Sequence, residues 1–289
     1  MLNEKIIDMH VHSTHSDGEL TVEEILNYAK TKNVGTLSIT DHDSLNANYQ
    51  TFSSDINYIN GIEFSSNIYI NNKRVKIHLL GYNMDLNNSK LLKFVDLYKE
   101  KRLFMHQKSI EILKELYLGI SDEIIESLYK EEYCWFDRFI IKKLTENNVS
   151  EVVIRDVQNY FKLNRFSYTD SSVEYEMEFK DVLEIIRVSD GISILAHPFS
   201  YNLDKNEILL LINKLINHGI KGVEVYQSDC SFEDSFFLKK ICESKMLLQS
   251  VGSDFHKFNS SDNREIGTGI ENNLCYSDCT LVQKIRRKI

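Results

Sequence analysis

Between residues 8 and 18 the chain reads Asp-Met-His-Val-His-Ser-Thr-His-Ser-Asp-Gly. His10 and His12 alternate with the apolar residues Met9 and Val11. Alternate residues of a β-strand face the same side, so a strand here points both imidazoles one way. Asp17 follows five residues after His12, next to Gly18. Two imidazoles and a nearby carboxylate supply the nitrogen and oxygen donors of half a metal site. The same spacing on a surface strand also suits inert histidines. The pair therefore takes its meaning from what the rest of the chain brings to it.

Other donors recur in a shared context. Leu37–Thr40 runs into Asp41-His42-Asp43, and the strand expected at Tyr58 runs into Gly61-Ile62-Glu63. Ile194–Ala196 runs into His197-Pro198, and Val251-Gly252 into Ser253-Asp254-Phe255-His256. His78 lies inside the apolar segment Lys76–Leu80. In barrel-like α/β folds, functional residues gather at the C-terminal ends of strands. Six histidines (His10, His12, His42, His78, His197, His256) and three carboxylates (Asp17, Glu63, Asp254) make nine candidate ligands. A catalytic ion of the zinc type takes about three protein ligands plus water, so nine suit three ions. Imidazole and carboxylate without thiolate suit Mn, Fe or Zn.

The elements that must position these groups can be read from periodicity. Lys5–Val11 is an expected strand. Thr21 and Glu24 have the spacing of a capping box that opens a helix through about Lys32. Thr36–Thr40 and Tyr58–Phe64 are expected strands, and Ile68–Ile70 with Lys76–Leu80 a hairpin across Asn71-Asn72. This βαβ rhythm predicts a parallel α/β architecture. From about Asn87 to Lys162 the pattern is almost wholly helical, with Leu91–Leu116, Ser121–Lys130, Phe136–Asn147 and Ser150–Phe161 as helices. Alternation then returns: helices at Glu178–Ser189, Asn206–Asn217 and Phe232–Glu243, strands at Ile192–Ala196, Gly222–Tyr226 and Leu247–Gly252. The expected organisation is a first α/β part over 1–86, an inserted helical subdomain over 87–175 and a second α/β part over 176–289.

Composition narrows the function classes. The chain has 289 residues, 34 Lys plus Arg and 43 Asp plus Glu, for a net charge of −9. That balance disfavours a broad duplex-binding surface, which needs many cations to displace counterions. Cys134, Cys230, Cys242, Cys275 and Cys279 show no CxxC spacing, which predicts reduced thiols and a cytoplasmic location. Met-Leu-Asn-Glu-Lys leads into the first strand without an export-signal pattern. No apolar run approaches the roughly 20 residues that span a bilayer, so no membrane partner is expected.

Taken in order, His10-Val-His12, His15-Ser-Asp17-Gly18, Thr40-Asp41-His42-Asp43, Gly61-Ile-Glu63, His78 with Leu79-Leu80-Gly81-Tyr82, Ala196-His197-Pro198 and Gly252-Ser-Asp254-Phe-His256 form one set. The set resembles the PHP (polymerase and histidinol phosphatase) family of metal-dependent phosphoesterases, over roughly residues 5–84 and 176–260. The resemblance implies a distorted (β/α)7 barrel with a trinuclear centre. It implies that His10, His12, Glu63 and Asp254 hold one ion. Glu63, His78 and His197 would hold a second, with Glu63 bridging, and Asp17, His42 and His256 a third. It further implies in-line attack on phosphorus by a metal-bound hydroxide, with no separate catalytic acid assigned. The helical insertion resembles that of nucleoside 3′,5′-bisphosphate phosphatases and of enzymes that trim RNA from its 5′ end. A small nucleotide or short oligonucleotide is therefore the expected substrate. Those relatives carry an Arg-Pro-His-like element where this chain has Trp135-Phe136-Asp137-Arg138-Phe139, which makes Arg138 the candidate phosphate-binding cation. His15 is a second candidate substrate contact. A histidinol-phosphate phosphatase and a non-catalytic PHP module are the alternatives.

Secondary roles follow from position. Asp8, Asp41 and Asp43 are expected either to orient ligating imidazoles or to cap turns. Lys257 is a candidate phosphate contact and Tyr226 a candidate cleft residue. His106 is expected on the surface of the insertion helix, and His218 near a helix C-terminus.

Overall fold

The computed structural model describes residues 5–50, 55–115, 120–129, 136–164, 177–258 and 263–287. The strands are β1 (Ile6–Val11), β2 (Val34–Ile39), β3 (Asn57–Tyr58), β4 (Gly61–Ile70), β5 (Lys73–Tyr82), β6 (Met177–Glu178), β7 (Ile192–Leu195), β8 (Gly222–Gln227) and β9 (Leu248–Gly252). The helices are α1 (Val22–Thr31), α2 (Ser89–Glu115), α3 (Asp122–Tyr129), α4 (Phe136–Glu146), α5 (Glu151–Asn164), α6 (Phe179–Val188), α7 (Lys205–Ile216), α8 (Phe232–Lys245) and α9 (Thr280–Arg286). The chain forms two compact units, Met1–Val95 with Glu176–Ile289, and Asp96–Tyr175.

In the first unit the expected capping box is present. Glu24 N–H donates to Thr21 Oγ1 and Thr21 N–H to Glu24 Oε2, which satisfies two amides the helix start leaves over. The face so launched buries Val22, Ile25, Leu26 and Ala29 against Val34, Leu37 and Ile39 of β2. Each buried Ile or Leu contributes about 1.5–3 kcal/mol.

The strands form two sheets, β1-β2-β3 and β6-β4-β5-β7-β8-β9. The pairings are parallel except at β5, which runs antiparallel to both β4 and β7. The expected hairpin across Asn71-Asn72 interrupts the parallel order there, for a local reason. Asn71 and Asn72 take φ of 48° and 63°, the double left-handed turn of a two-residue hairpin, and asparagine tolerates it. The expected strand Tyr58–Phe64 also divides. β3 pairs with β2 and β4 with β5, and Asn60 between them bonds the backbone of Met84 through both side-chain atoms.

Two seams join the sheets by isolated bridges, Val11 with Phe255 and His42 with Glu63. At the first, His12 N–H donates to Phe255 O at 2.9 Å and Asp254 N–H to His10 O at 2.8 Å. At the second, Asp43 N–H donates to Glu63 O at 2.8 Å. The seams fall on the predicted ligands, so the contacts that bring the two sheets together also bring those residues together. No helix among the described residues is long and apolar enough to cross a membrane. Cys230, Cys242, Cys275 and Cys279 form no disulfide, and Cys134 lies outside the described residues.

The second unit packs Ile110, Leu113, Ile125, Leu128, Ile140, Leu144 and Val157 into its own core. His106 is not on its surface, as expected from the sequence, but buried, with Nε2 donating to Leu128 O at 2.9 Å. Leu128 lies in the last turn of α3, where carbonyls lack intrahelical partners, so His106 caps that helix from α2. Burial holds the imidazole pKa below its ordinary value. A lowered histidine pKa means that the unfolded state binds more protons. Stability is thus full above about pH 6.5 and falls as the pH drops below it. His106→Ala is expected to cost about 1–3 kcal/mol through the unmade bond. Hydrogen exchange of α3 measures both effects. Equal α3 protection in wild type and variant from pH 7 to 5 refutes the cap.

Candidate metal centre

All nine predicted ligands come together. His10 in β1 and His12 just beyond it share a face, as the alternation requires, with Nε2 atoms 3.1 Å apart. Glu63 enters from β4, fully buried, and its two oxygens face different partners. Oε1 lies 2.8 Å from His197 Nε2 and 3.0 Å from His78 Nδ1. Oε2 lies 2.9 Å from His42 Nδ1 and 3.4 Å from Nε2 of both His10 and His12. Asp254 Oδ1 lies 3.2 Å from His12 Nε2, and Asp17 Oδ1 lies 3.1 Å from His256 Nε2.

Four overlapping groups have ligand atoms within 4.8 Å of one another: His12, Asp17, His42 and His256; His10, Glu63 and His197; His10, His12 and Asp254; and His42, Glu63 and His78. His42, His197, Asp254 and His256 follow β2, β7 and β9, as expected of strand ends. Glu63 and His78 instead lie within the antiparallel pair β4 and β5.

The donor chemistry fits divalent cations. Glu63 Oε2 is buried and accepts no hydrogen bond, despite three imidazole nitrogens within 3.4 Å. Such an oxygen is costly to bury without a positive partner. Three imidazoles have Nδ1 already engaged. His10 donates to Glu224 Oε1 at 3.0 Å, His197 to Ser200 Oγ at 2.7 Å, and His256 to Asp254 O at 2.9 Å. That fixes the tautomer of each neutral ring and turns each Nε2 inward. Ser200 in turn donates to His197 O at 2.9 Å, so its hydroxyl can only accept from the ring.

The side chains themselves divide the imidazoles by protonation. Burial, with His256 and His42 alongside, pushes His12 down to about 3, and burial pushes His78 down to about 4. Burial also opposes the charged form of His256 and His10. Asp254 and Asp17 nonetheless raise His256 to about 9, and Glu224, Glu63 and Asp254 hold His10 well above its ordinary value. Neutral His12 and His78 are ready ligands, whereas His10 and His256 must release a proton to bind an ion.

The remaining predicted residues sort differently. Asp8, Asp41 and Asp43 all accept from backbone N–H groups, and Asp41 also reaches the His12 ring through Ser16 Oγ. Asp8 accepts from Ser253 N–H, His10 N–H and Gly267 N–H, although burial raises its pKa to about 6. Asp41 accepts from Ser13 N–H, Ser13 Oγ and Ser16 Oγ, which shapes the turn that presents Asp17. Asp43 accepts from Ser65 N–H at 2.7 Å and anchors β4. His15 belongs to none of the ligand groups and contacts Gln50. Lys257 pairs with Glu19 at 3.8 Å, and His218 Nδ1 donates to Lys214 O. Tyr226 stacks on Tyr276 with centroids 4.1 Å apart. Arg138 is in the first turn of α4, and its side chain lies outside the described residues.

Sequence reasoning missed Glu224. It is fully buried in β8, where Oε1 accepts from the His10 ring and Oε2 from His197 N–H at 2.8 Å. The second bond supports a residue with φ of 23°, a strained value for a side chain other than glycine. A Cβ on Gly252 would fall on His10 Cβ and Glu224 Oε1, so that glycine admits the carboxylate. The available signal was a carboxylate in the middle of the apolar strand Gly222–Gln227. Arg264 was also missed; it bonds Asp254 and Asp229. Glu224→Ala is expected to lower divalent-ion affinity by about 10–100-fold. Calorimetric Mn titration checks this, and wild-type affinity in the variant would contradict it.

The model of the PHP domain family matches residues 8–166. The 5′-3′ exoribonuclease Rnm of Escherichia coli strain K12 is 27% identical over 261 residues, 87% of this chain and 85% of that enzyme. The phosphoribosyl 1,2-cyclic phosphate 1,2-diphosphodiesterase of Eggerthella lenta is 25% identical over 255 residues, 87% of this chain and 94% of that enzyme. An amidohydrolase structure from Chromobacterium violaceum has the same fold, with a TM-score of 0.74, 21% identity, and coverage of 98% of this chain and 96% of that one. The chain belongs to the PHP domain family.

Proposed function

We propose that this metal-dependent phosphoesterase releases phosphate from the 5′ end of a small nucleotide or short oligonucleotide. The observation that carries the metal part is Glu63. It is a buried carboxylate whose two oxygens face two sets of imidazoles, with Oε1 toward His78 and His197 and Oε2 toward His10, His12 and His42. A carboxylate so placed suits a bridge between cations. The ligand sets follow: His10, His12, Glu63 and Asp254 for one ion; Glu63, His78 and His197 for a second; Asp17, His42 and His256 for a third. The donors suit Mn, Fe or Zn. Divalent ions held there supply positive charge for phosphoryl oxygens and make water acidic enough to deliver a nucleophile near neutral pH.

The chain's own residues do the positioning. Glu224 and Ser200 fix the rings of His10 and His197, and Asp41 fixes the turn that carries Asp17. In the reaction water oxygen bonds to phosphorus, the ester P–O bond breaks, and the departing oxygen takes a proton. His15 sits beside the ligands in sequence and is proposed to contact substrate. Arg138 is proposed as a phosphate contact on chemistry alone, because a guanidinium grips phosphate with two parallel hydrogen bonds. The nucleotide part of the reading is supported by the similarity to the exoribonuclease. The similarity to the cyclic-phosphate diesterase favours a ribose phosphate diester as a second reading.

Metal-loaded protein is expected to hydrolyse 5′-phosphorylated oligoribonucleotides or nucleoside 3′,5′-bisphosphates faster than ribose cyclic phosphates or histidinol phosphate, and to lose all activity in chelator. No turnover of any of these by protein with bound Mn would overturn the reading. Glu63→Gln should reduce turnover by more than about 100-fold, since losing even a supporting partner of a ligand costs 10–100-fold. Full turnover in that variant would count against a Glu63 bridge.

A further inference from the structure

Asp254 is held in an unusual way. Its φ is 56°, in the left-handed region that side chains other than glycine rarely adopt. Its carboxylate is divided between two environments. Oδ1 lies 3.4 Å from His10 Nε2 and 3.2 Å from His12 Nε2. Oδ2 accepts from Arg264 Nη1 at 3.2 Å. The same nitrogen donates to the carbonyls of Ser253 at 3.2 Å and Asp254 at 3.3 Å. Arg264 Nη2 donates to Asp229 Oδ2 at 2.7 Å. The Arg264 side chain is only 12% exposed.

A guanidinium suits this arrangement because it is planar and carries five donors in a fixed fork. Its contacts reach both the backbone and the carboxylate of one residue, so they oppose relaxation of the strained φ and rotation of the side chain together. With Oδ2 engaged, one oxygen remains directed at His10 and His12. The other contact, Asp229, follows β8, the strand whose Glu224 orients the His10 ring. Arg264 thus ties together the ends of β8 and β9, whose residues serve the same proposed ion.

We infer that Arg264 is a positioning residue that makes Asp254 a one-oxygen ligand and sets the affinity of the ion shared by His10, His12 and Asp254. This rests on the metal-centre reading given under the proposed function. The test is Mn binding by the full chain, with stoichiometry from elemental analysis and affinities from competition with a chromophoric chelator. Arg264→Met is expected to weaken one ion by about 10–100-fold while the other ions keep their affinities. The metal-free variant should still melt in one cooperative transition, and Arg264→Lys should restore part of the loss. Unchanged affinity of every ion in Arg264→Met, or equal loss of all ions together with the fold, overturns the inference and leaves the metal reading standing. No Mn uptake by wild type overturns both. If Arg264→Met does not fold, Asp229→Asn carries the test, because it loosens the guanidinium from an exposed position. A smaller weakening of the same ion supports the inference, and wild-type affinity overturns it.

Discussion

A single desolvated carboxylate sets the terms for the first unit. Glu63 is fully buried, with five imidazole nitrogens within 3.4 Å of its two oxygens. Taking an ionised carboxylate out of water costs several kcal/mol even after relaxation, and only nearby positive charge offsets it. Asp17, Asp254 and Glu224 add further anionic groups around the same point. Neutral imidazoles cannot balance that charge, and protonated ones would repel one another. Divalent cations answer both needs, which is why a donor set so poor for an apolar core is consistent with a built metal centre.

The sheet geometry follows from that requirement. The candidate ligands arrive on several segments distant in the chain, and the segments must converge. The two seams, Val11 with Phe255 and His42 with Glu63, are where the sheets approach, and they lie at or beside the ligands. The backbone there is held by buried acids with a different task from the ligands. Asp8 stitches β1 to the end of β9, Asp41 shapes the turn before Asp17, and Asp43 anchors β4. Glu224, by contrast, accepts directly from an imidazole ring. Acidic residues that look alike in sequence are thus candidate ligands, ring-orienters or backbone clamps, according to which donors surround them.

Much of this was legible before any coordinates. Local signals with a short-range cause are all realised: the Thr21–Glu24 capping box, the Asn71-Asn72 hairpin and the buried face of α1. They depend on neighbours within a few residues, which the sequence displays. Signals whose cause lies across the fold were not legible. His106 looked like an exposed helix histidine, and its partner is a carbonyl of another helix. Glu224 and Arg264 matter through groups 214 and 10 residues away, respectively.

The order and identity of the nine N and O donors, and the alternation that turns His10 and His12 to one side, were determined by the sequence itself. Residue type decides which atoms can hold a cation, and strand period decides which way neighbouring side chains face. Tertiary structure alone decided which oxygen of Glu63 meets which histidine and which buried acids serve the backbone. Those choices are made where segments distant in the chain meet, and there burial assigns each polar atom the partner that compensates it.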